Sequence, residues 1–169
     1  MNEQPLFQDS EIRTLKVICI ALSVGVALFA VIAIFLASEE PSPGSARDSA
    51  MGMLRVIHLV VTLGAIVLQK ILFERVMSGK IRPRGTVGPT SFSKTYLSAS
   101  IMRLAIVEGA ALFGLVIALI GSTGGQIAGD PTYYLHLIPA ILLIMTARMT
   151  YPSARRVEEL ARQYPNERR

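Results

Sequence analysis

The sequence predicts an all-α integral membrane protein, a bundle of four transmembrane helices with the N- and C-termini cytoplasmic. Two observations lead to this fold class. The 169 residues are 51% hydrophobic and 17% charged, which is more apolar surface than a soluble domain of this size can bury. The apolar residues also fall into four long runs with the charges between them, as in proteins whose solvent is lipid.

Each apolar run has about the length that a helix needs to cross a bilayer, since ~20 residues at 1.5 Å each span the ~30 Å of hydrocarbon. No run alternates apolar and polar residues as a barrel strand does, and a helix satisfies its backbone hydrogen bonds without water. The length of the first run, with Phe35 near its end, predicts a retained anchor rather than a cleaved signal peptide. The predicted spans are residues 15–37, 54–76, 97–120 and 133–149.

The basic residues beside the spans predict the orientation. Lysine and arginine collect between the second and third spans and after the fourth, whereas residues 121–131 contain neither. Positive loops stay in the cytoplasm, so the middle loop and both termini are predicted there, in a bacterial inner membrane. The basic residues flank the membrane, which argues against nucleic acid as a partner. In the tail, residues 153–169, the spacing over 153–163 predicts a short helix on the inner headgroups.

The two halves of the chain resemble each other. Gly25-Val-Ala-Leu-Phe29 in the first span matches Gly109-Ala-Ala-Leu-Phe113 in the third, and His58 matches His136 in the even-numbered spans. The sequence therefore predicts two tandem helical hairpins as an internal repeat. Where the second half has the acid Glu108, the first half has the apolar Val24.

Glu108 is the residue whose placement in a membrane costs most, because it lies near the middle of the third span. Arg103 lies five residues nearer the cytoplasm, on another face of the same helix. Gln69 and Lys70 of the second span are expected at the depth of Arg103. Two interpretations remain open: Glu108 fixes helix packing, or it binds a proton or a small ligand together with Arg103, Lys70 and Gln69.

A polar stripe runs along the second span, where Arg55, His58, Thr62 and Gln69 recur at helical spacing and are expected to face inward. His136 of the fourth span lies at the same predicted depth as His58. Two such imidazoles can hold a haem iron from opposite sides, although the sequence predicts no cofactor and haem b is the alternative. Small residues line the other two spans and predict close helix packing: Cys19, Ser23, Ala27 and Ala30, then Ala110, Gly114 and Ala118.

The stretch from Arg103 to Ile117 resembles the carboxylate helix of the proteolipid c subunits of rotary ATPases. It shares with them a carboxylate in the middle of a span, Glu108, followed by the run Phe113-Gly-Leu-Val116. The resemblance implies that Glu108 carries a proton or a sodium ion. In that family the carboxylate lies on the second helix of its hairpin, whereas Glu108 lies on the first. The chain is also similar to small four-helix proteins of bacterial inner membranes, which implies no activity.

The sequence contains no nucleophile triad, metal-ligand cluster or phosphate-binding loop. It therefore favours a protein without catalytic activity. The expected partners are the lipid bilayer and either further copies of the chain, in a homo-oligomer, or a larger membrane complex. The first alternative is a carrier or subunit that binds a proton or a small ligand at Glu108. The second is a haem-binding redox module that uses His58 and His136.

Overall fold

The computed structural model describes residues 9–36, 48–79, 92–123 and 130–153, together with residues 159 and 162. The described part is helical: α1 (Asp9–Leu36), α2 (Asp48–Met77), α3 (Phe92–Thr123), a 3₁₀-helix (Pro131–Leu137) and α4 (Ile138–Thr150). The 3₁₀-helix runs directly into α4. Four helical stretches are long and apolar enough to cross a membrane, the last of them being Thr132–Thr150.

The first three helices extend beyond the predicted spans at both or one of their ends. α1 begins at Asp9 rather than residue 15, and α3 begins at Phe92 rather than residue 97. These added turns contain polar residues, and the headgroup layers on either side of the hydrocarbon accommodate such ends. The helix predicted in the tail over 153–163 falls mostly outside the described residues.

The sequence predicts an α-helix from the start of the fourth span. In the structure this span begins instead as a 3₁₀-helix. Pro131 occupies a first-turn position, and the side chain of Asp130 caps this turn by accepting the backbone N–H of Thr132 at 3.0 Å. Pro139 has no N–H with which to reach the carbonyl of Leu135, and the N–H of Ile138 takes that carbonyl instead. Proline chemistry therefore explains the tighter first turns.

α3 is the central helix, and it packs against α1, α2 and the fourth span. In its most apolar window 50% of the residues are buried, compared with 17% in α1 and in α2. Small residues on α3 let its neighbours approach closely. The buried small residues of α3 are Ala99, Ser100, Ala110, Ala111, Gly114, Ala118, Gly121 and Ser122.

The helices alternate in direction. The α2 residues His58 and Phe73 contact α3 at Ala110 and Tyr96, so α2 runs antiparallel to α3. We call the end where α1 and α3 begin the basic end, and the opposite end, where α2 and the 3₁₀-helix begin, the histidine end. α3 packs closely with α4, whereas α1 has little contact with α2 in the described part. The packing thus lends the predicted repeat no support.

Candidate functional site

The two histidines of the chain meet in the structure. His58 comes from the third turn of the α2 span, Met51–Met77, and His136 from the end of the 3₁₀-helix. Their exposed fractions are 3% and 6%. Their Nδ1 atoms are 2.8 Å apart, which is a hydrogen-bond distance. The sequence placed both at one depth on different helices, and the structure joins them ring to ring.

The neighbours of His58 define which nitrogen carries the proton. Its Nε2 lies 3.3 Å from the carbonyl oxygen of Ala110 and 3.3 Å from Oγ1 of Thr62. A carbonyl oxygen only accepts, so Nε2 of His58 is the N–H donor, and in a neutral ring Nδ1 is then an acceptor. It follows that His136 donates through Nδ1–H. The Nε2 atom of His136 then carries a lone pair, and it has no hydrogen-bond partner among the described residues.

Gly114 of α3 makes room for this pair. A Cβ atom there would lie 2.6 Å from Nε2 of His58 and would collide with the carbonyl oxygen of His136. Two turns further along α3, a Cβ at Gly121 would collide with the ring of Tyr133. Both glycines therefore permit a close approach of side chains that no larger residue allows.

An ion pair lies at the histidine end, beside the histidines. Nη1 of Arg55 donates to Oδ2 of Asp130 at 2.7 Å. The guanidinium carbon of Arg55 also lies 3.8 Å from the centre of the Tyr133 ring, a cation–π contact. Together these residues form what we call the histidine cluster: Arg55, His58, Thr62, Asp130, Tyr133 and His136.

The carboxylate of Asp130 is stabilised in its charged form. The hydroxyl of Thr132 donates to it at 2.6 Å, Arg55 donates to it, and so does the backbone N–H of Thr132. These hydrogen bonds, the one from the Thr132 side chain first, lower the pKa of Asp130 to about 2. Asp130 lies just before the fourth span, so the cluster ends in a permanent negative charge that balances Arg55.

Arg103 pairs with Gln69, nearer the basic end. Nε of Arg103 donates to Oε1 of Gln69 at 2.9 Å, and its guanidinium lies 5.4 Å from the centre of the Phe73 ring. The sequence placed Gln69 and Arg103 at one depth, and the structure brings them together. Lys70, the next residue of α2, is exposed. Its side chain makes no ion pair with Glu108 in the described part of the chain.

Glu108 lies at the margin of the outward face of α3. Its helical neighbours on one side, Leu104 and Ala111, are fully buried, whereas Ala105 and Leu112 on the other side are exposed. Glu108 itself is partly exposed. Within residues 9–36, 48–79, 92–123 and 130–153, its carboxyl group has neither an ion pair nor a hydrogen bond. Arg103, Lys70 and Gln69 thus do not form a single site with Glu108.

The histidine pair does not fit a haem iron between its rings in this arrangement. Two nitrogens that bind one metal from opposite sides stand about 4 Å apart, because each bond is about 2 Å long, and the Nδ1 atoms are 2.8 Å apart. Haem binding would require the rings to separate. It stays a prediction, checked by looking for a Soret band in protein that was expressed with haem supplied. No group of three or more metal-ligating side chains was found in the described ranges.

Two features of these sites were not anticipated from the sequence. The partner of Arg55 is Asp130, whereas the sequence pattern paired Arg55 with no acid and suggested Asp130 only as a carboxylate near the histidines. The positions of Arg55 and Asp130 could have indicated the pair, since each lies a few residues from the histidine end of its helix. The outward position of Glu108 was also missed, because α3 is apolar on every side and its pattern does not reveal which face is buried.

The described part of the chain defines a class of protein: all-helical, with four helices long and apolar enough to cross a membrane and polar clusters between them. No family model matches the chain, and neither a curated protein nor a solved structure matches it.

Proposed function

We propose that the chain is a non-enzymatic protein of a bacterial inner membrane, with both termini cytoplasmic, that associates with a second copy of itself through the face of α3 beside Glu108. The observation that carries this proposal is the position of Glu108. A carboxyl group in the middle of a span, partly exposed and without a partner in the described part of the chain, is costly in lipid. A partner at this face removes that cost.

A second copy of the chain is a suitable partner for Glu108, because it presents the same residue at the same depth in the membrane. Two copies inserted with the same orientation are related by an axis along the membrane normal, so residues meet their own counterparts at the same depth. Glu108 of one copy then faces Glu108 of the other, and two carboxyl groups that share a proton form a hydrogen bond. Arg103 is not the partner of Glu108 within the same copy, because it lies five residues away and donates to Gln69.

The face beside Glu108 allows this approach. Ala105 and Gly109 are exposed and lie four residues apart, which is the small-residue spacing of closely packed membrane helices. A Cβ atom on Gly109 would meet nothing within 4 Å, so its surface is open in the single chain. Leu112 and Val116, exposed by 39% and 41%, continue the face toward the histidine end.

Disulfide crosslinking in native membranes tests the face. In a Cys19→Ser background, Ala105→Cys is expected to form a disulfide-linked dimer on oxidation. The matched control is Val24→Cys on α1, which is 60% exposed at a similar predicted depth. Equal crosslinking of both variants, or none of either, would contradict the proposal.

Substitution of the carboxyl group tests its part in the association. Glu108→Leu is expected to weaken dimerisation by about three- to thirtyfold, the equivalent of ~0.6–2 kcal/mol for a polar contact between helices in a membrane. Glu108→Gln keeps a hydrogen-bonding group and is expected to retain most of the affinity. Energy transfer between labelled copies, diluted in lipid, measures both. A Glu108→Leu protein that dimerises as well as Glu108→Gln would exclude a role for the carboxyl.

A second candidate function, proton or small-ligand binding at Glu108, rests on the same open carboxyl group. It predicts a carboxyl infrared band that changes with pH in the native protein and is absent from Glu108→Gln. A band that does not change between about pH 4 and about pH 10 would exclude it. The two functions are distinguishable, because Glu108→Gln abolishes proton binding but preserves association.

A further inference from the structure

A groove lies between α1 and α4 near the basic end. It has a volume of about 350 Å³ and is lined by Cys19, Ile20, Ser23, Val24, Ile144, Ala147, Arg148 and Tyr151. The eight residues from Ile144 to Tyr151 rise about 10 Å along the helix axis. For comparison, one leaflet contains ~15 Å of hydrocarbon. The groove thus runs from the membrane surface toward the bilayer centre.

The wall of the groove is apolar in practice. The hydroxyl of Ser23 donates to the carbonyl oxygen of Cys19 at 2.8 Å, so it presents no free donor to the groove. The small side chain of Ala147, which is buried at the floor, leaves the groove deeper than a larger residue would. The open side is bordered by Val24 and Ile144, exposed by 60% and 39%. A hydrocarbon chain lying along this wall would contact mostly apolar atoms.

The mouth of the groove is cationic. Arg148 lines it, and Nζ of Lys16 lies 5.7 Å from the centre of the Tyr151 ring, which lines it too. Neither Arg148 nor Lys16 has an ion pair in the part of the chain that the structure describes. Arg148 lies two residues before the end of the span, and Tyr151, whose ring Lys16 contacts, lies just after it. Both cations are therefore at headgroup depth.

We propose that this groove binds one anionic phospholipid of the adjacent leaflet, with the phosphate between Arg148 and Lys16 and one acyl chain along the wall. Two cations that have no acidic partner among the described residues match a headgroup that keeps a net negative charge. Basic pockets between membrane helices recognise such headgroups. The hydroxyl and ring of Tyr151 suit the boundary between headgroup and hydrocarbon. Free phosphate would use the cations but not the apolar wall.

Native mass spectrometry of the full chain in detergent tests the proposal. The probes are a phosphatidylglycerol, a phosphatidylcholine with the same acyl chains, and inorganic phosphate. We expect one phosphatidylglycerol to bind more tightly than phosphatidylcholine. Arg148→Gln and Lys16→Gln are each expected to weaken it by about fivefold, since one cation near a lipid surface contributes ~1 kcal/mol. Arg75→Gln is the matched control, because Arg75 is exposed near the same end but lies on α2.

Three outcomes would overturn the proposal. Equal binding of the two lipids would show non-specific annular lipid, and equal losses in Arg148→Gln and Arg75→Gln would show attraction to the whole basic end. Binding of inorganic phosphate as tight as that of phosphatidylglycerol would show an anion site without an acyl chain. An independent variant, Ala147→Leu, fills the floor and is expected to weaken phosphatidylglycerol binding while both cations remain. Circular dichroism verifies that each variant is folded.

Discussion

A Cβ atom at Gly114 would occupy the space that the carbonyl oxygen of His136 and the ring of His58 now share. Gly114→Ala therefore has to displace α2 or the 3₁₀-helix from α3. Overpacking of this kind costs about 1–3 kcal/mol of the free energy of unfolding. We expect such a loss for Gly114→Ala in denaturant titrations of the detergent-solubilised protein.

Gly25→Ala is the control for this prediction, because a Cβ at Gly25 meets nothing within 4 Å. There alanine replaces glycine without a steric cost and has the higher helix propensity. Its free energy of unfolding is expected to be unchanged or slightly higher. If the two variants have the same stability, the close contact at Gly114 does not form.

Asp130 makes stability depend on pH at the acidic end of the scale. Its folded pKa, about 2, lies below the ordinary 3.8, so folding favours the charged form. The stabilisation is complete above the ordinary pKa and is lost as the pH falls through about 4 toward about 2. We expect the thermal midpoint to decrease over that range, and to decrease less at high salt, since the pair is partly exposed.

The Asp130→Asn variant separates the contribution of Asp130 to the pH dependence of stability from the contributions of other acidic residues. Asparagine still caps the 3₁₀-helix but does not titrate. The variant is expected to have a lower midpoint at neutral pH and a smaller decrease on acidification. A decrease as large as in the native protein would assign the pH dependence to other carboxyl groups.

At the scale of elements, the positions of the helices follow from the sequence, and the identity of the central helix does not. A long apolar run predicts a membrane helix because lipid leaves the backbone no other partner. Which face of the run is buried depends on neighbouring helices, and lipid is as apolar as they are. Ala27 illustrates this: it belongs to the small-residue face predicted for α1, yet it is exposed, whereas Ala110 and Gly114 of α3 are buried.

A pair of leucine substitutions tests this division between α1 and α3. Ala111 is fully buried, so Ala111→Leu is expected to destabilise the protein by about 1–3 kcal/mol through overpacking. Ala27→Leu adds the same atoms to an exposed position and is expected to leave the free energy of unfolding within about 0.5 kcal/mol of the native value. The reverse order would place α1, rather than α3, at the centre.

At the scale of the whole molecule, the histidine cluster needs three elements at once. The sequence placed His58 and His136 at one depth, and the spacing of Ala110, Gly114 and Ala118 indicated a closely packed α3. It did not show that these features meet, because the contact depends on how α2 and the 3₁₀-helix are placed around α3. The Arg55–Asp130 pair depends on the same placement, so it was equally hidden in the sequence.

The two ends of the bundle also differ in charge, and this difference underlies the predicted orientation. Lys16, Arg75 and Arg148 lie toward the basic end, whereas at the histidine end the charge of Arg55 is balanced by Asp130. Lysine and arginine beside the spans keep a segment in the cytoplasm, so the basic end, which has more of them, is expected to face inward.

Single cysteines in a Cys19→Ser background test this orientation with a membrane-impermeant thiol reagent. Thr123→Cys, at the exposed end of α3, is expected to react in cells whose inner membrane is intact. Ser78→Cys, at the opposite end, is expected to react only after the membrane is permeabilised, and the opposite labelling pattern would invert the topology.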